Sequence, residues 1–234
     1  MEYGYWGFKG LGEISRQVAA YLGLPLTEYN PQSREEWATK KSTIGADFPN
    51  LPYLKDGDYV VTESQAIPAY LALKANRGDL LGEGIKEQTQ IRTLDGVLQD
   101  IRIALFKAIF APTDKKEETA KLFEQGSSVY NKLTQISEFL GTKDFLLGHL
   151  TLADFHLAFI IETVALIALS FDVVSPLSTL VNLRTHWTRV SNLEGVKEFA
   201  AARAAVPIIP AAFAGFDFKT VADLKAHHTI TTIA

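Results

Sequence analysis

The chain of 234 residues contains no cysteine. That excludes disulfides, zinc–thiolate sites and a cysteine nucleophile of its own. It also lacks a segment dominated by one sign of charge. Residues 1–80 carry 8 basic and 10 acidic side chains and the remainder 15 and 17, within a net charge of −4. No basic half or stripe is present to track phosphates, which argues against nucleic acid as a partner. There is no unbroken apolar run of bilayer length. The most apolar stretch, residues 155–171, is interrupted by His156, Glu162, Thr163 and Ser170; it reads as a buried helix and not as a membrane span. No basic segment followed by an apolar core marks the start, so no secretion signal is expected and the cytoplasm is the expected compartment. Internal repeats and low-complexity segments are absent as well.

What is present suffices for a large core. Hydrophobic residues make up 47% of the chain, enough at this length for one large domain or two small ones. The densest information lies in residues 47–72, which read as strand, turn, strand and helix start. Pro52 falls where a strand begins, so it supplies no ladder N–H and marks an edge, a bulge or a cis turn. Asp56-Gly57 is a tight-hairpin signal between two short apolar strands. Glu63-Ser64 precedes the apolar pair Ala66-Ile67, and a helix starting there aims free backbone N–H groups and a hydroxyl at an anion.

The rest of the first third alternates element types. Strands are expected over residues 3–8 and 24–29, and helices over 13–22, 34–41 and 64–76. Strand, helix, strand, helix, hairpin and helix within the first 78 residues is an α/β pattern of thioredoxin-like plan. Gly and Asp punctuation over residues 79–85 marks a linker. From residue 86 to 234 the periodicity is helical throughout: 87–110, 115–140, 151–171, 178–190 and 195–205, then a tail from 207 without a clear period. That half is expected to be an all-helical domain. Thr151-Leu152-Ala153-Asp154 is a capping-box variant with Asp in the place of Glu or Gln, flanked by the staple pair Leu150 and Phe155. The adjacent pair His227-His228 reads as solvated tail and not as a metal site.

Several strings, in this order and spacing, resemble the glutathione S-transferases. They are Gly4-Tyr5-Trp6 with Gly10-Leu11, Asp47-Phe48-Pro49-Asn50-Leu51-Pro52-Tyr53-Leu54, Glu63-Ser64, Leu98-Gln99-Asp100-Ile101-Arg102, and residues 145–155. The mu and sigma classes are the most similar, and the resemblance is densest over residues 1–76. It implies conjugation of glutathione, as co-substrate, to hydrophobic electrophiles in detoxification. Tyr5 matches the catalytic tyrosine. By the two-residue strand period Tyr3 shares its face, so the residues alone leave both open, and the family position selects Tyr5. A thiol of pKa ~8.5 is only about 3% ionised at pH 7, and a phenol donating to the sulfur favours the thiolate.

The remaining contacts are likewise implied by the resemblance. Ser64 takes the γ-glutamyl carboxylate and Glu63 its ammonium. Leu51, ahead of Pro52, pairs its backbone with the cysteinyl unit as an added strand would. Trp37 and Lys41 share a helix face and match the positions that take the glycine carboxylate, with Arg34 as a further contact. Asn50 either contributes or fixes the turn. Trp6, Leu11 and Phe110 are the candidates for the electrophile side. Phe110 stands where mu relatives often have a second tyrosine, so a proton donor to the electrophile is missing there. Asp100, in preference to Asp95, reaches into a neighbouring subunit's site. Phe48 is an aromatic key between subunits, so a homodimer is expected. Two other readings stay open: a glutathione-dependent isomerase of prostaglandin-synthase type, and a non-catalytic ligand-binding or lens-type homologue.

Overall fold

A computed structural model describes residues 1–112 and 114–226. Its first part is a four-stranded mixed sheet in the order β2-β1-β3-β4. The strands are β1 (Glu2–Gly4), β2 (Thr27–Tyr29), β3 (Tyr53–Asp56) and β4 (Tyr59–Thr62). β1 is central. It runs parallel to β2, reached through helix α1 (Glu13–Tyr21), and antiparallel to β3. Helix α2 (Arg34–Lys41) follows β2, and α3 (Ala66–Lys74) follows β4. The strands are shorter than alternation predicts. The chain leaves β1 after Gly4 because residues 5–12 turn inward to meet the helical half. The hairpin closes through the two residues between Asp56 and Tyr59, which pair across it.

A 3-10 turn at Gly78–Leu81 leads into the helical half. It contains α4 (Gly84–Ile109), α5 (Lys115–Phe123), α6 (Ser128–Leu140), α7 (Leu152–Phe171), α8 (Val181–Ser191) and α9 (Val196–Ala202). Periodicity predicts one helix across residues 115–140, but the chain breaks it. Gly126 adopts φ +91°, and the Ser127 hydroxyl accepts the Tyr130 N–H as the cap of a new helix. The tail is not structureless either: it forms α10 (Ala211–Ala214) and α11 (Val221–Ala226).

The centre of this half is α7. Its mean hydropathy of 1.9 would allow it to cross a membrane, yet 83% of that window is buried in the fold. Such all-round apolarity is what a helix needs when neighbours surround it. Asp154 fixes its start. One carboxylate oxygen accepts from the Thr151 N–H and hydroxyl, the other from the Leu146 N–H and His186 Nε2, at 2.8–2.9 Å. The two halves are joined by buried ion pairs. Lys9 Nζ meets Glu162 at 2.5 Å, and Arg203 meets Glu13 at 3.0 Å.

Candidate active site

Tyr5 is the first residue beyond β1, and its side chain is 5% exposed. The loop that follows closes over it. Gly10 has φ +41°, and a Cβ there would sit 2.5 Å from the Tyr5 hydroxyl oxygen. A side chain at that position would push the loop away. With glycine, the Leu11 N–H reaches the hydroxyl and donates to it at 2.8 Å. The oxygen is therefore an acceptor within the protein, and its own proton remains to be given outward. Burial pushes the Tyr5 pKa up to about 12, against the opposing pull of the Leu11 N–H, Arg16 and Arg102. The phenol stays protonated at neutral pH and acts as a donor, not as a base. Tyr3 is excluded by its own bond: its hydroxyl donates to the Gly12 carbonyl at 2.9 Å, and its ring is fully buried. Arg16 stacks on both rings, 5.3 Å from Tyr3 and 5.6 Å from Tyr5, while its guanidinium is held by Glu28.

Across from Tyr5 run the loop before β3 and the turn after β4. The Leu51–Pro52 peptide is cis. Neither the N–H nor the carbonyl of Leu51 is bonded among the described residues. Glu63 holds φ +78°, a conformation that costs an amino acid with a side chain on the order of 1–3 kcal/mol. The bend lets its carbonyl accept from both Ala66 and Ile67 N–H. Helix α3 consequently starts two residues later than predicted, and Ser64 lies in the turn ahead of it. Its N–H and hydroxyl make no bond within the described residues. Trp37 is stacked on Tyr53, 6.1 Å between centroids. Lys41 is exposed without an ion pair among the described residues. Arg34 lies 5.6 Å from the Phe213 ring. Asn50 is exposed beside Leu51.

The arrangement is a peptide-sized edge with unbonded backbone on one side, a turn of free N–H groups at one end and a buried phenol between. The sequence matches the family models for the N-terminal domain of glutathione S-transferases over residues 1–73 and for their C-terminal domain over residues 99–203. Glutathione S-transferase 2 of Gallus gallus is 34% identical over 160 residues, spanning 65% of this chain and 70% of that one. Glutathione S-transferase Mu 1 of Bos taurus is 33% identical over 163 residues, 66% and 72% of the two chains. The chain belongs to the glutathione S-transferase family. Solved structures agree in fold. The glutathione S-transferase Blo t 8 superposes with a TM-score of 0.78 at 24% identity, covering 90% of this chain and 97% of that one. Prostaglandin synthase D of Nilaparvata lugens gives 0.71 at 26% identity, covering 86% and 97%. Glutathione is the co-substrate of the family.

The transferase keeps some expected residues away from this edge. Asp100 is 61% exposed and paired with Lys132 at 2.7 Å. Asp95 instead faces His156 at 3.4 Å and shares with Ser64 and Gln65 a cleft of about 520 Å³ between α3 and α4. Tyr5 is not among the residues lining that cleft, so the site is placed by hydrogen bonding and not by cavity size. Phe110 ends α4 half exposed, with Phe106 as its ring neighbour at 6.2 Å. Sequence reasoning named Trp6 but missed Phe8 and Phe213, which complete an aromatic wall with it. Trp6 packs with Phe8 at 6.4 Å and with Phe213 at 5.2 Å. Phe213 comes from the tail, which docks when Pro207 and Ile208 carbonyls accept the Lys9 and Gly10 N–H groups. No periodic pattern around Phe213 announces it. Leu11 lines a small space that it shares with Ser64 and with Gln99 and Arg102 of α4. His227-His228 lie outside the described residues.

Proposed function

We propose that this transferase binds glutathione along Leu51 and Ser64, ionises its thiol at Tyr5, and delivers the sulfur to a hydrophobic electrophile held beside Trp6. The observation that carries the reading is the Tyr5 hydroxyl, buried, accepting from Leu11 and left with an unused proton. Leu51 pairs with the cysteinyl backbone. Ser64 and its N–H take the γ-glutamyl carboxylate, and Glu63 meets the ammonium. Trp37, Lys41 and Arg34 draw the glycine carboxylate, with Asn50 at the rim. Trp6, Phe8, Leu11, Phe110 and Phe213 offer an apolar surface for the electrophile. The compartment is cytoplasmic. A conjugation assay with a chloronitrobenzene substrate tests the reading, and product formation no faster than the uncatalysed reaction would dismiss it. The likeness to prostaglandin synthase D supports one second reading, a glutathione-dependent isomerase. Product analysis with an endoperoxide separates the two.

The family usually forms dimers, and the proposal assigns two residues to that contact. Phe48 is 80% exposed in its loop; an aromatic ring so placed is a natural anchor between subunits. Asp100 exchanges Lys132 for the γ-glutamyl ammonium of the neighbour, a small sacrifice because an exposed pair contributes only about 0–1 kcal/mol. Phe48→Ser is expected to weaken association in sedimentation measurements. Asp100→Asn is expected to raise KM for glutathione. When Asp100→Asn and Tyr5→Phe chains are mixed, each heterodimer gains one intact site and activity returns. Confirmed subunit exchange without recovered activity rules out action across the interface.

Phe110 sets the electrophile range. Aromatic substitution passes through an anionic adduct that expels chloride without a proton from the protein. Epoxide opening leaves an alkoxide that benefits from a nearby acid, which Phe110 lacks. Phe110→Tyr is expected to raise epoxide turnover by ~10-fold, the scale of one hydrogen bond to developing charge, and to leave the aryl halide unchanged. Equal gains for both substrates, or none, place Phe110 away from the reacting centre.

A further inference from the structure

Arg102 follows Asp100 by two residues on α4 and faces the other way, toward Leu11 and Ser64, near enough for its charge to act on Tyr5. Together with Leu11, Ser64, Gln65, Gln99 and His156 it walls a cavity of about 10 Å³, room for one water-sized atom. Its Nη2 donates to Gln99 Oε1 at 2.5 Å. Its Nε is buried and has no partner among the described residues. Burial holds the guanidinium below the ordinary arginine range, and Tyr5, then Glu63, pull it back toward the charged form. Arginine nonetheless stays cationic at neutral pH. Every nearby carboxylate is otherwise placed. Asp100 is on Lys132, Asp95 is on His156, and Glu63 is exposed. Arg16, the cation on the other side of the Tyr5 ring, is already matched by Glu28 and Glu13. The groups facing Arg102 are thus Tyr5 from the loop after β1, Glu63 from the turn before α3, Asp95 on its own helix, and His156 from α7.

A half-buried cation whose Nε–H is buried and unbonded is costly until an anion meets it. We infer that Arg102 is a catalytic residue whose guanidinium stands against the glutathione sulfur and supplies the positive charge that the neutral Tyr5 hydroxyl does not. The inference rests on the transferase reading above. The step is a simple ionisation: the S–H bond breaks, the proton passes to solvent, and both electrons remain on sulfur. Tyr5 then donates one hydrogen bond to the thiolate, and Arg102 adds a charge-assisted one. Asp100 and Arg102 divide α4 between them, one side chain for the neighbour's site and one for its own.

The test uses the full chain and two variants, Arg102→Gln and Arg102→Lys. The bound thiol is titrated by its ultraviolet thiolate absorbance, and kcat/KM for conjugation is followed against pH. Arg102→Gln is expected to raise the thiol pKa by about one unit, a roughly threefold loss of thiolate at pH 7 that approaches tenfold at lower pH. Activity recovers as pH rises, and KM for glutathione stays within a few-fold. Arg102→Lys is expected to restore most of the pKa, because charge and not the fork shape acts on sulfur. An unchanged thiol pKa with equal loss at every pH assigns Arg102 to packing and overturns the inference. An unchanged pKa with a large rise in KM assigns it to a carboxylate of glutathione and also overturns it. Tyr5→Phe serves as the control. If it raises the thiol pKa while Arg102→Gln does not, only this inference fails. If wild-type protein binds glutathione without forming thiolate, the transferase reading itself fails.

Discussion

Tyr5→Phe is expected to lower conjugation turnover by ~10²-fold while leaving glutathione affinity within a few-fold. The hydroxyl touches only the sulfur in this account, so the peptide contacts at Leu51 and Ser64 survive its loss. The ring also stays in place. Its packing against Phe8, Arg16 and the glycines of the 10–12 loop does not involve the oxygen. One polar contact is lost besides the catalytic one: the Leu11 N–H gives up its acceptor. That costs roughly 1–3 kcal/mol if the N–H stays dry, so thermal stability is measured alongside. Because Tyr5 is pushed up to about 12 by burial, it contributes no ionisation of its own near neutral pH. The wild-type rate is therefore expected to rise with the ionisation of the bound thiol alone, and to show no second limb from Tyr5 below pH 10 or so. Turnover unchanged by the substitution would remove Tyr5 from the chemistry.

The largest stability effect is expected far from the site, at Asp154→Ala. Asp154 is completely buried and accepts four hydrogen bonds: from Leu146, from the N–H and hydroxyl of Thr151, and from His186. A carboxylate here can only accept, so His186 carries its proton on Nε2. Truncation to alanine orphans all these donors at once and strips the start of α7, around which the helical half packs. A loss of about 3–5 kcal/mol is expected, the scale for breaking a buried charged network. For a chain of this size that lowers Tm by on the order of 10 °C. A calorimetric shift of a degree or two would mean that water or a relaxed loop replaces the carboxylate. Asp154→Asn separates charge from hydrogen bonding: it keeps an acceptor for Thr151 and is expected to fall between wild type and Asp154→Ala.

Much of the fold was legible because local signals and tertiary need agree. Arg34–Lys41 forms its helix at the predicted limits, since Ser33 caps it and acidic and basic residues sit at the matching ends. The capping box at Thr151 is as read. Pro52 follows a cis peptide bond ahead of β3, one of the options its position left open, and Phe48 is exposed in its loop. What the sequence hid depends on contacts distant along the chain. Alternation extended β1 to residue 8, but the backbone bonds from Lys9 and Gly10 to the tail turn that segment away. The helix after β4 begins late because Glu63 takes a left-handed conformation that no rule assigns to glutamate. Residues 115–140 have helical periodicity throughout, and only the Gly126-Ser127 pair betrays the break. Arg102 was in view within the Leu98–Arg102 string. Its use was not, because which face of α4 meets Tyr5 is settled by packing. Gln99, three residues before it, was the available hint: the two share a face by helical spacing. Phe213 carried no signal, since a short tail helix has no period to read.

On this reading the protein turns glutathione into a thiolate at Tyr5. The most direct measurement is a titration of the protein–glutathione complex by ultraviolet thiolate absorbance, in wild type and in Tyr5→Phe. The thiol of bound glutathione is expected to ionise about two units below the free thiol, equivalent to ~2.7 kcal/mol of differential stabilisation, and about half of this shift or more is expected to disappear in Tyr5→Phe. Glutathione bound at saturation with its thiol pKa unmoved from the free value, in wild type as in the variant, would contradict it.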